Sequence, residues 1–298
     1  MTYTWAGAAW AVEPVVWIAL SEAGGAHAEA AAAVRDEIER AGAGRADIVI
    51  RPWREFGTDA SPAPRLIVAV GNRARRGIIE SEHRAPLLGV LVTRSPQDRI
   101  AADASSRVHS SVLLDQPPAR QLAALRLALP ALRRVGIVFG PESRLHVAAF
   151  QRAAAESGLQ LVVGRVDSPA MVGAVVQRTL EDSELLLAVP DPAVFNNVSV
   201  QNILTAAYRR RVPLMAFSPA YVRAGALLAI YSTPAQVGRQ AGEIARAFLA
   251  GKPLPPPQSP QDFVIGINGD VARSLGIPLQ AADEHPLAQQ LRAAEHKP

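Results

Sequence analysis

The residues best placed for ligand chemistry stand directly after apolar runs in the second half of the chain. Gly140 and Ser143, Asp191, and Ser218 each follow a separate short apolar run. A carboxylate such as that of Asp191 can pair with an ammonium group. The free N–H groups of helices that start after such turns suit a carboxylate. We therefore expect these residues to bind a small zwitterion such as an amino acid.

The first half of the chain repeats this placement. Ser21, the pair Gly71-Asn72 and Thr93 each follow an apolar run, and two aromatic residues flank Ser218. The predicted ligand-binding residues are Ser21, Gly71, Asn72, Thr93, Gly140, Ser143, Asp191, Phe217, Ser218 and Tyr221.

Several of these residues also fit a purely structural role. Asp191 before Pro192 fits a helix cap, Ser218 before Pro219 fits an ordinary turn, and Asn72 fits a left-handed turn. The aromatic residues Phe217 and Tyr221 fit a core as well as a pocket. These alternatives stay open at this point.

The elements that must position these residues alternate between strand and helix. The predicted strands are apolar throughout instead of alternating, as expected for a parallel sheet with helices on both faces. From residue 135 onwards the strands are 135–139, 159–163, 184–190, 213–217, 221–231 and 263–268. In the first half they are 14–20, 47–53, 65–70 and 86–92, with an extra strand at 107–114. Ligands bind at the carboxyl ends of the strands in such sheets.

Two similar halves predict an α/β protein of two doubly wound, Rossmann-like lobes. The first crossing between them is expected near residues 112–120. We assign 12–119 with 232–257 to the N-terminal lobe, and 120–231 with 258–280 to the C-terminal lobe. The tail 281–298 is polar and rich in alanine, which predicts a loosely held helix or disorder.

The beginning of the chain allows two interpretations. Ala9-Trp10-Ala11 is a small-x-small triplet of the kind that precedes a signal-peptidase site, but Met1–Ala8 contains neither an apolar core nor a Lys or Arg. Residues 1–11 are therefore either a frayed tail or the remnant of a signal peptide.

Composition and motifs exclude several classes of protein. Apolar residues make up 49% and charged residues 19% of the 298 residues, which indicates a globular chain, and no apolar run is long enough to span a bilayer. The net charge is only +4 and the arginines are scattered, which disfavours nucleic-acid binding. There is no cysteine, the six histidines lack metal-site spacing, and no nucleophile, dinucleotide or phosphate-loop motif occurs. We expect no enzymatic activity, no cofactor and no metal.

An ordered set of segments resembles bacterial ABC transporter substrate-binding proteins. The similarity is good over about 120–280 and weaker over 12–119, and it is to the subgroup with the type I periplasmic-binding fold that includes binders of aromatic amino acids. The segments that carry it are 129–138, Val189-Pro190-Asp191, 221–226, Gly251-Lys252-Pro253-Leu254 and 268–277.

The resemblance implies two lobes joined by hinge crossings that close on a small solute in the cleft between them. It further implies export to the periplasm, delivery to an ABC permease in the inner membrane, and a monomer. Position by position, Gly71-Asn72 matches the family's Gly-Thr turn, and Asp191 matches the Asp after the third strand of its second lobe. Ser218 matches a polar residue at the next strand end.

Two turns depart from the family pattern. Arg94-Ser95-Pro96 stands where many members carry Asp-Pro, and His109-Ser110-Ser111 replaces a Thr-Gly turn. Because both turns belong to the expected pocket wall, the identity of the ligand does not transfer. A second function therefore stays open, in which a degenerate cleft serves an envelope accessory or sensor protein with a protein partner.

Overall fold

The computed structural model describes residues 15–40, 47–57, 63–94 and 108–295. Ala9-Trp10-Ala11 and Ser95-Pro96 lie outside these ranges. The described chain forms two compact units. Of the described residues, unit 1 contains those from 15 to 92, from 108 to 112 and from 238 to 258. Unit 2 contains Thr93, Arg94, Leu113–Val237 and residues 259–295.

Unit 1 is built on a five-stranded sheet. Its strands are β1 (Val15–Leu20), β2 (Asp47–Pro52), β3 (Leu66–Val70), β4 (Leu87–Val92) and β5 (His109–Leu113), and its helices include α1 (Gly25–Glu39) and α2 (Asn72–Glu80). The order is β2-β1-β3-β4-β5, with β1 parallel to β2 and β3, and β3 parallel to β4. Every residue of β1 and β3 is buried, as their uninterrupted apolar sequences require.

Unit 2 is built on a six-stranded sheet. Its strands are β6 (Arg134–Phe139), β7 (Gln160–Arg165), β8 (Leu185–Leu187), β9 (Leu214–Ala216), β10 (Leu228–Tyr231) and β11 (Val264–Ile267). Its helices are α3 (Pro118–Ala128), α4 (Val147–Glu156), α5 (Val172–Glu181), α6 (Val200–Arg209), α7 (Pro219–Ala224), the start of α8 (Pro234–Leu249), α9 (Gly269–Leu275) and α10 (Glu284–Glu295). The order is β11-β10-β9-β8-β6-β7, and all pairs are parallel except β10 with β11.

The two sheets share one winding. In each, the second strand along the chain lies outside the first, and the third, fourth and fifth follow on the other side. This is one of the two common doubly wound orders, and it places a switch point between the first and third strands. The predicted fold class is confirmed. The predicted boundaries of the two lobes stay a prediction.

One predicted element is wrong. The stretch 221–231 is not one strand: α7 ends at Gly225, whose φ of 119° is left-handed, and β10 starts only at Leu228. Pro219 opens α7 and Gly225 closes it, which is the usual asymmetry of helix ends. For the tail, the helix is the predicted alternative that the structure has, and it packs more firmly than predicted, since Leu287, Ala288 and Leu291 of α10 are buried.

Among the described residues, no helix combines the length and apolar content that crossing a membrane requires.

A buried arginine ties three parts of unit 2 together. The Arg120 guanidinium at the start of α3 pairs with Glu295 at the end of α10, with Nε 2.5 Å from Oε1. Its Nη1 donates to the Pro260 carbonyl at 2.7 Å and to Gln116 Oε1 at 3.0 Å. The group lies 4.6 Å from the ring centre of Phe263, just before β11. Arg120 therefore fastens α3, the chain before β11 and the C-terminal helix to one another.

Replacing Arg120 with leucine should lower the free energy of unfolding by about 3–5 kcal/mol, because four oxygen acceptors, two of them on Glu295, would lose a buried partner. Urea unfolding followed by circular dichroism measures the change. Arg152→Leu is the matched control, since Arg152 is exposed on α4, and such surface changes stay within about 0.5 kcal/mol. Equal stability of the two variants would show that the Arg120 contacts are not stabilising.

Candidate functional site

Unit 2 contains a cavity of ≈ 430 Å³ next to the carboxyl ends of β8, β9 and β10. Its apolar lining consists of Leu114, Pro117, Pro118, Ala149, Phe150, Val189, Pro190, Phe217 and Pro219. Its polar lining consists of Thr93, Arg94, Asp115, Gln116, Gln121, His146, Ser218, Tyr231, Ser232 and Ser259.

A proline follows each of two of these strands and lines the cavity. β8 ends at Leu187 and the chain continues as Val189-Pro190, while β9 ends at Ala216 and the chain continues towards Pro219. Proline has no N–H group to donate to a neighbouring strand, so the ladder cannot continue through it. Each strand ends three residues before its proline, and residues 189–190 and 217–219 line the cavity.

The side-chain amides in the cavity lining, those of Gln116 and Gln121, donate hydrogen bonds within the protein. Gln116 Nε2 donates to Ser232 Oγ at 2.9 Å, and Ser232 Oγ donates to the Asp262 carbonyl at 2.5 Å. Gln121 Nε2 donates to the Gln116 carbonyl at 2.9 Å. These hydrogen bonds hold the two amides and the hydroxyl in the cavity wall.

A carboxylate, an imidazole and a guanidinium share the same cavity. The backbone N–H of Arg94 donates to Asp115 Oδ2 at 2.8 Å. Burial raises the pKa of Asp115 above its ordinary 3.8, against the opposing effects of that N–H and of the His146 and Arg94 charges. Burial also lowers the pKa of His146 below 6.5, against the attraction of Asp115. Burial therefore disfavours the charged forms of Asp115 and His146.

Three of the predicted binding residues line this cavity, namely Thr93, Phe217 and Ser218. Ser218 occupies the N-cap position of α7, but its side chain makes no capping hydrogen bond. Its hydroxyl thus remains available at the cavity wall.

Asp191 lies beneath the turn that follows β6. Its Oδ2 accepts hydrogen bonds from the Glu142 N–H at 3.0 Å and from the Ser143 N–H and hydroxyl, each at 2.8 Å. Its Oδ1 accepts from the Ala193 N–H at 3.0 Å, and the residue is only 2% exposed. These contacts disfavour the predicted role of Asp191 as an ammonium partner, which stays a prediction.

Gly140 belongs to the same network. A Cβ atom at this position would lie 2.5 Å from Asp191 Oδ1, so only glycine lets the turn approach the carboxylate. Gly140, Ser143 and Asp191 therefore close the switch point between β6 and β8 with internal hydrogen bonds.

Ser21, Gly71 and Asn72 belong to unit 1, at the switch point between β1 and β3. Ser21 Oγ accepts from the Ala74 N–H at 2.9 Å and so holds the first turn of α2. Gly71 has a φ of 91°, and a Cβ there would lie 2.5 Å from Ser21 Oγ. Each of these two residues has a structural reason to be present, and ligand contact by all three stays a prediction.

Tyr221 packs behind the cavity wall. Its ring centre lies 4.8 Å from that of Phe217 and 6.4 Å from that of Phe195. Burial raises the pKa of its hydroxyl above 10.0. Tyr221 thus supports Phe217 from behind, and direct contact with a ligand stays a prediction.

The charged residues of the cavity are not among the binding residues that the sequence predicts. Arg94 belongs to a turn that departs from the family pattern, and Asp115 and His146 belong to no motif. One signal was present for Asp115, which stands directly after β5 where the chain enters unit 2. Within the described ranges, His, Asp and Glu residues form no group of three that could hold a metal ion.

A family model described as ABC transporter substrate binding protein matches residues 60–284. No curated protein matches the chain.

Solved structures match nearly the whole chain at low sequence identity. A substrate binding protein with adhesive properties from Clostridium difficile, in its ligand-free, open structure, has a TM-score of 0.70 at 18% identity over 92% of this chain and 98% of that one. A conserved domain protein from Vibrio cholerae has a TM-score of 0.63 at 18% identity, over 91% and 97%. The ABC domain in complex with L-Trp from Streptococcus pneumoniae has a TM-score of 0.62 at 16% identity, over 92% and 98%. At these identities the likeness establishes the fold alone.

Replacing Asp191 with alanine should destabilise unit 2 by on the order of 2–4 kcal/mol, because four buried donors would lose their acceptor. Thermal and urea unfolding measure this loss. Asp182→Ala is the control, since Asp182 is exposed at the end of α5. An Asp191→Ala protein as stable as the control would contradict the structural role assigned to this carboxylate.

Proposed function

The chain belongs to the ABC transporter substrate binding protein family, and we propose that it captures a small organic solute, an amino acid or a similar molecule, for import. The observation that carries this proposal is the cavity of unit 2, in which an apolar wall surrounds one group of charged side chains. In this proposal the protein acts as a monomer in the periplasm and delivers the solute to an ABC permease.

The size of the cavity supports a small guest. At ≈ 430 Å³ it falls within the roughly 300–1,000 Å³ typical of small-molecule pockets. Phe150 and Phe217 contribute flat apolar surface to its lining. A guest with an aromatic or branched aliphatic body would replace water against these side chains, and burying apolar surface of that kind favours binding.

The committed amides favour an amino acid or a similar molecule over a sugar. A sugar presents hydroxyl groups on every side and needs many free donors and acceptors, whereas Gln116, Gln121 and Ser232 are already bonded within the wall. The L-Trp complex of the Streptococcus protein is in line with this solute class. The family and the fold are those of binding proteins, and the proposal requires no catalysis.

A thermal-shift screen of the amino acids, aromatic amines, small organic acids and sugars tests this proposal. We expect at least one amino acid or aromatic amine to stabilise the protein, by about 2.7 kcal/mol at 100 times its dissociation constant. A screen in which no compound shifts the unfolding temperature would contradict solute capture and favour the accessory or sensor role.

A pair of variants locates the binding. Ala149→Trp places an indole into the cavity, whereas Ala148→Trp adds the same group to the exposed face of α4. We expect the first to abolish the solute-dependent shift and the second to keep it. Melting curves without solute show whether each variant folds. A full shift retained by a folded Ala149→Trp protein would place the binding elsewhere.

A further inference from the structure

The Asp115 carboxylate is the least compensated charge in the cavity. Its Oδ2 accepts a hydrogen bond from the Arg94 backbone N–H. Within the described part of the chain it has no ion-pair partner, because no side-chain nitrogen of Arg, Lys or His lies within 4.0 Å of its oxygens. Burial is the main influence on its pKa and raises it. A partly buried carboxylate without a partner is costly unless a positive group pairs with it.

The other charged groups around Asp115 do not supply that pairing. The Arg94 side chain is exposed, and its charge reaches Asp115 only through space. His146, facing from the start of α4, is half-buried, and burial holds its pKa below 6.5, so the imidazole is neutral at pH 7.5. The space beside Asp115 therefore favours a positive group brought by the guest.

The rest of the lining limits what that guest can be. The neighbouring amides of Gln116 and Gln121 are engaged within the wall. The remaining surface is largely apolar and includes the rings of Phe150 and Phe217. One positive end and one apolar body describe an aromatic or branched aliphatic amine, whether or not it also carries a carboxylate.

We propose that Asp115, and not Asp191, holds the solute, through an ion pair with an ammonium group on an apolar body. This inference rests on the proposed function, since it concerns the same cavity. It assigns the two carboxylates different tasks: Asp191 closes the turn after β6 with its four internal hydrogen bonds, and Asp115 faces the guest.

The first test needs no solute. Asp115→Asn keeps an acceptor for the Arg94 N–H but removes the uncompensated charge. Because the pKa of Asp115 is raised on folding, the charge destabilises the protein progressively as the pH rises above 3.8. We expect Asp115→Asn to melt at a higher temperature than the wild type at pH 7.5, and the difference to shrink towards pH 4. Asp182→Asn, an exposed control, should show no such trend. An Asp115→Asn protein less stable than the wild type at pH 7.5 would overturn the inference, because its charge would then be compensated already.

The second test uses probes that share one aromatic body. Isothermal titration compares 2-phenylethylamine, 2-phenylethanol, 3-phenylpropionate and L-phenylalanine, together with any solute from the screen. We expect the compounds with an ammonium group to bind tightest and to lose about 30-fold or more in Asp115→Asn. Tightest binding by 3-phenylpropionate, or by a screened solute without an amine, would overturn the inference while leaving solute capture intact. So would an amine whose affinity is unchanged in Asp115→Asn.

The pH dependence of amine binding provides an independent readout. Only the ionised carboxylate pairs with ammonium, so affinity should fall by up to about tenfold per pH unit below the pKa of Asp115. Protonation of His146 places a second positive charge in the cavity and acts in the same direction. His146→Gln should remove that part of the loss between pH 7.5 and 5.0 and keep the part due to Asp115. An amine affinity that stays the same from pH 7.5 down to pH 3.5 would contradict the ion pair, because the raised pKa of Asp115 lies above 3.8. If no probe and no screened solute binds, the proposed function fails, and the Asp115→Asn melting curves still decide whether the charge is uncompensated.

Discussion

Both parallel sheets have two apolar faces, and helices must cover each of them. Strands such as β1, β3 and β6 are apolar along almost their whole length, so helices must shield both sides. Parallel strands also send all their carboxyl ends to one edge. That edge is consequently where polar residues and turns gather, and it is where the cavity of unit 2 lies.

The edge of unit 2 has a closed part and an open part. At the switch point between β6 and β8, Asp191 accepts four internal hydrogen bonds and Gly140 fits against its carboxylate. Beside the carboxyl ends of β8, β9 and β10 lies the cavity, with Pro190 and Pro219 in its lining. Unit 1 also uses its switch-point residues internally, since Ser21 holds the first turn of α2 beside Gly71. The residues with the most evident polar chemistry in the sequence thus stabilise the turns, and a less evident carboxylate, Asp115, faces the cavity.

The sequence predicts the sheets well because apolar runs are a local signal. Strands β1, β3, β4 and β6 lie within one residue of their predicted ends. The prediction of one strand from Tyr221 to Tyr231 is wrong because a short helix and a strand of similar apolar content follow one another there, with no polar residue between them. Their positions after predicted strands also identify Thr93, Phe217 and Ser218 as residues that line the cavity. Asp115 and His146 could not be found in this way, because their roles depend on contacts across the chain, such as Arg94 N–H to Asp115, that no local pattern records.

A crystal structure of the protein with the tightest-binding solute from the screen would show where the solute binds. We expect electron density for the solute in the cavity of unit 2, with its apolar body against Phe150 and Phe217. We also expect the solute's ammonium nitrogen to lie at hydrogen-bond distance from Asp115, about 2.7–3.2 Å. A solute bound elsewhere while this cavity holds only water would contradict the proposed site.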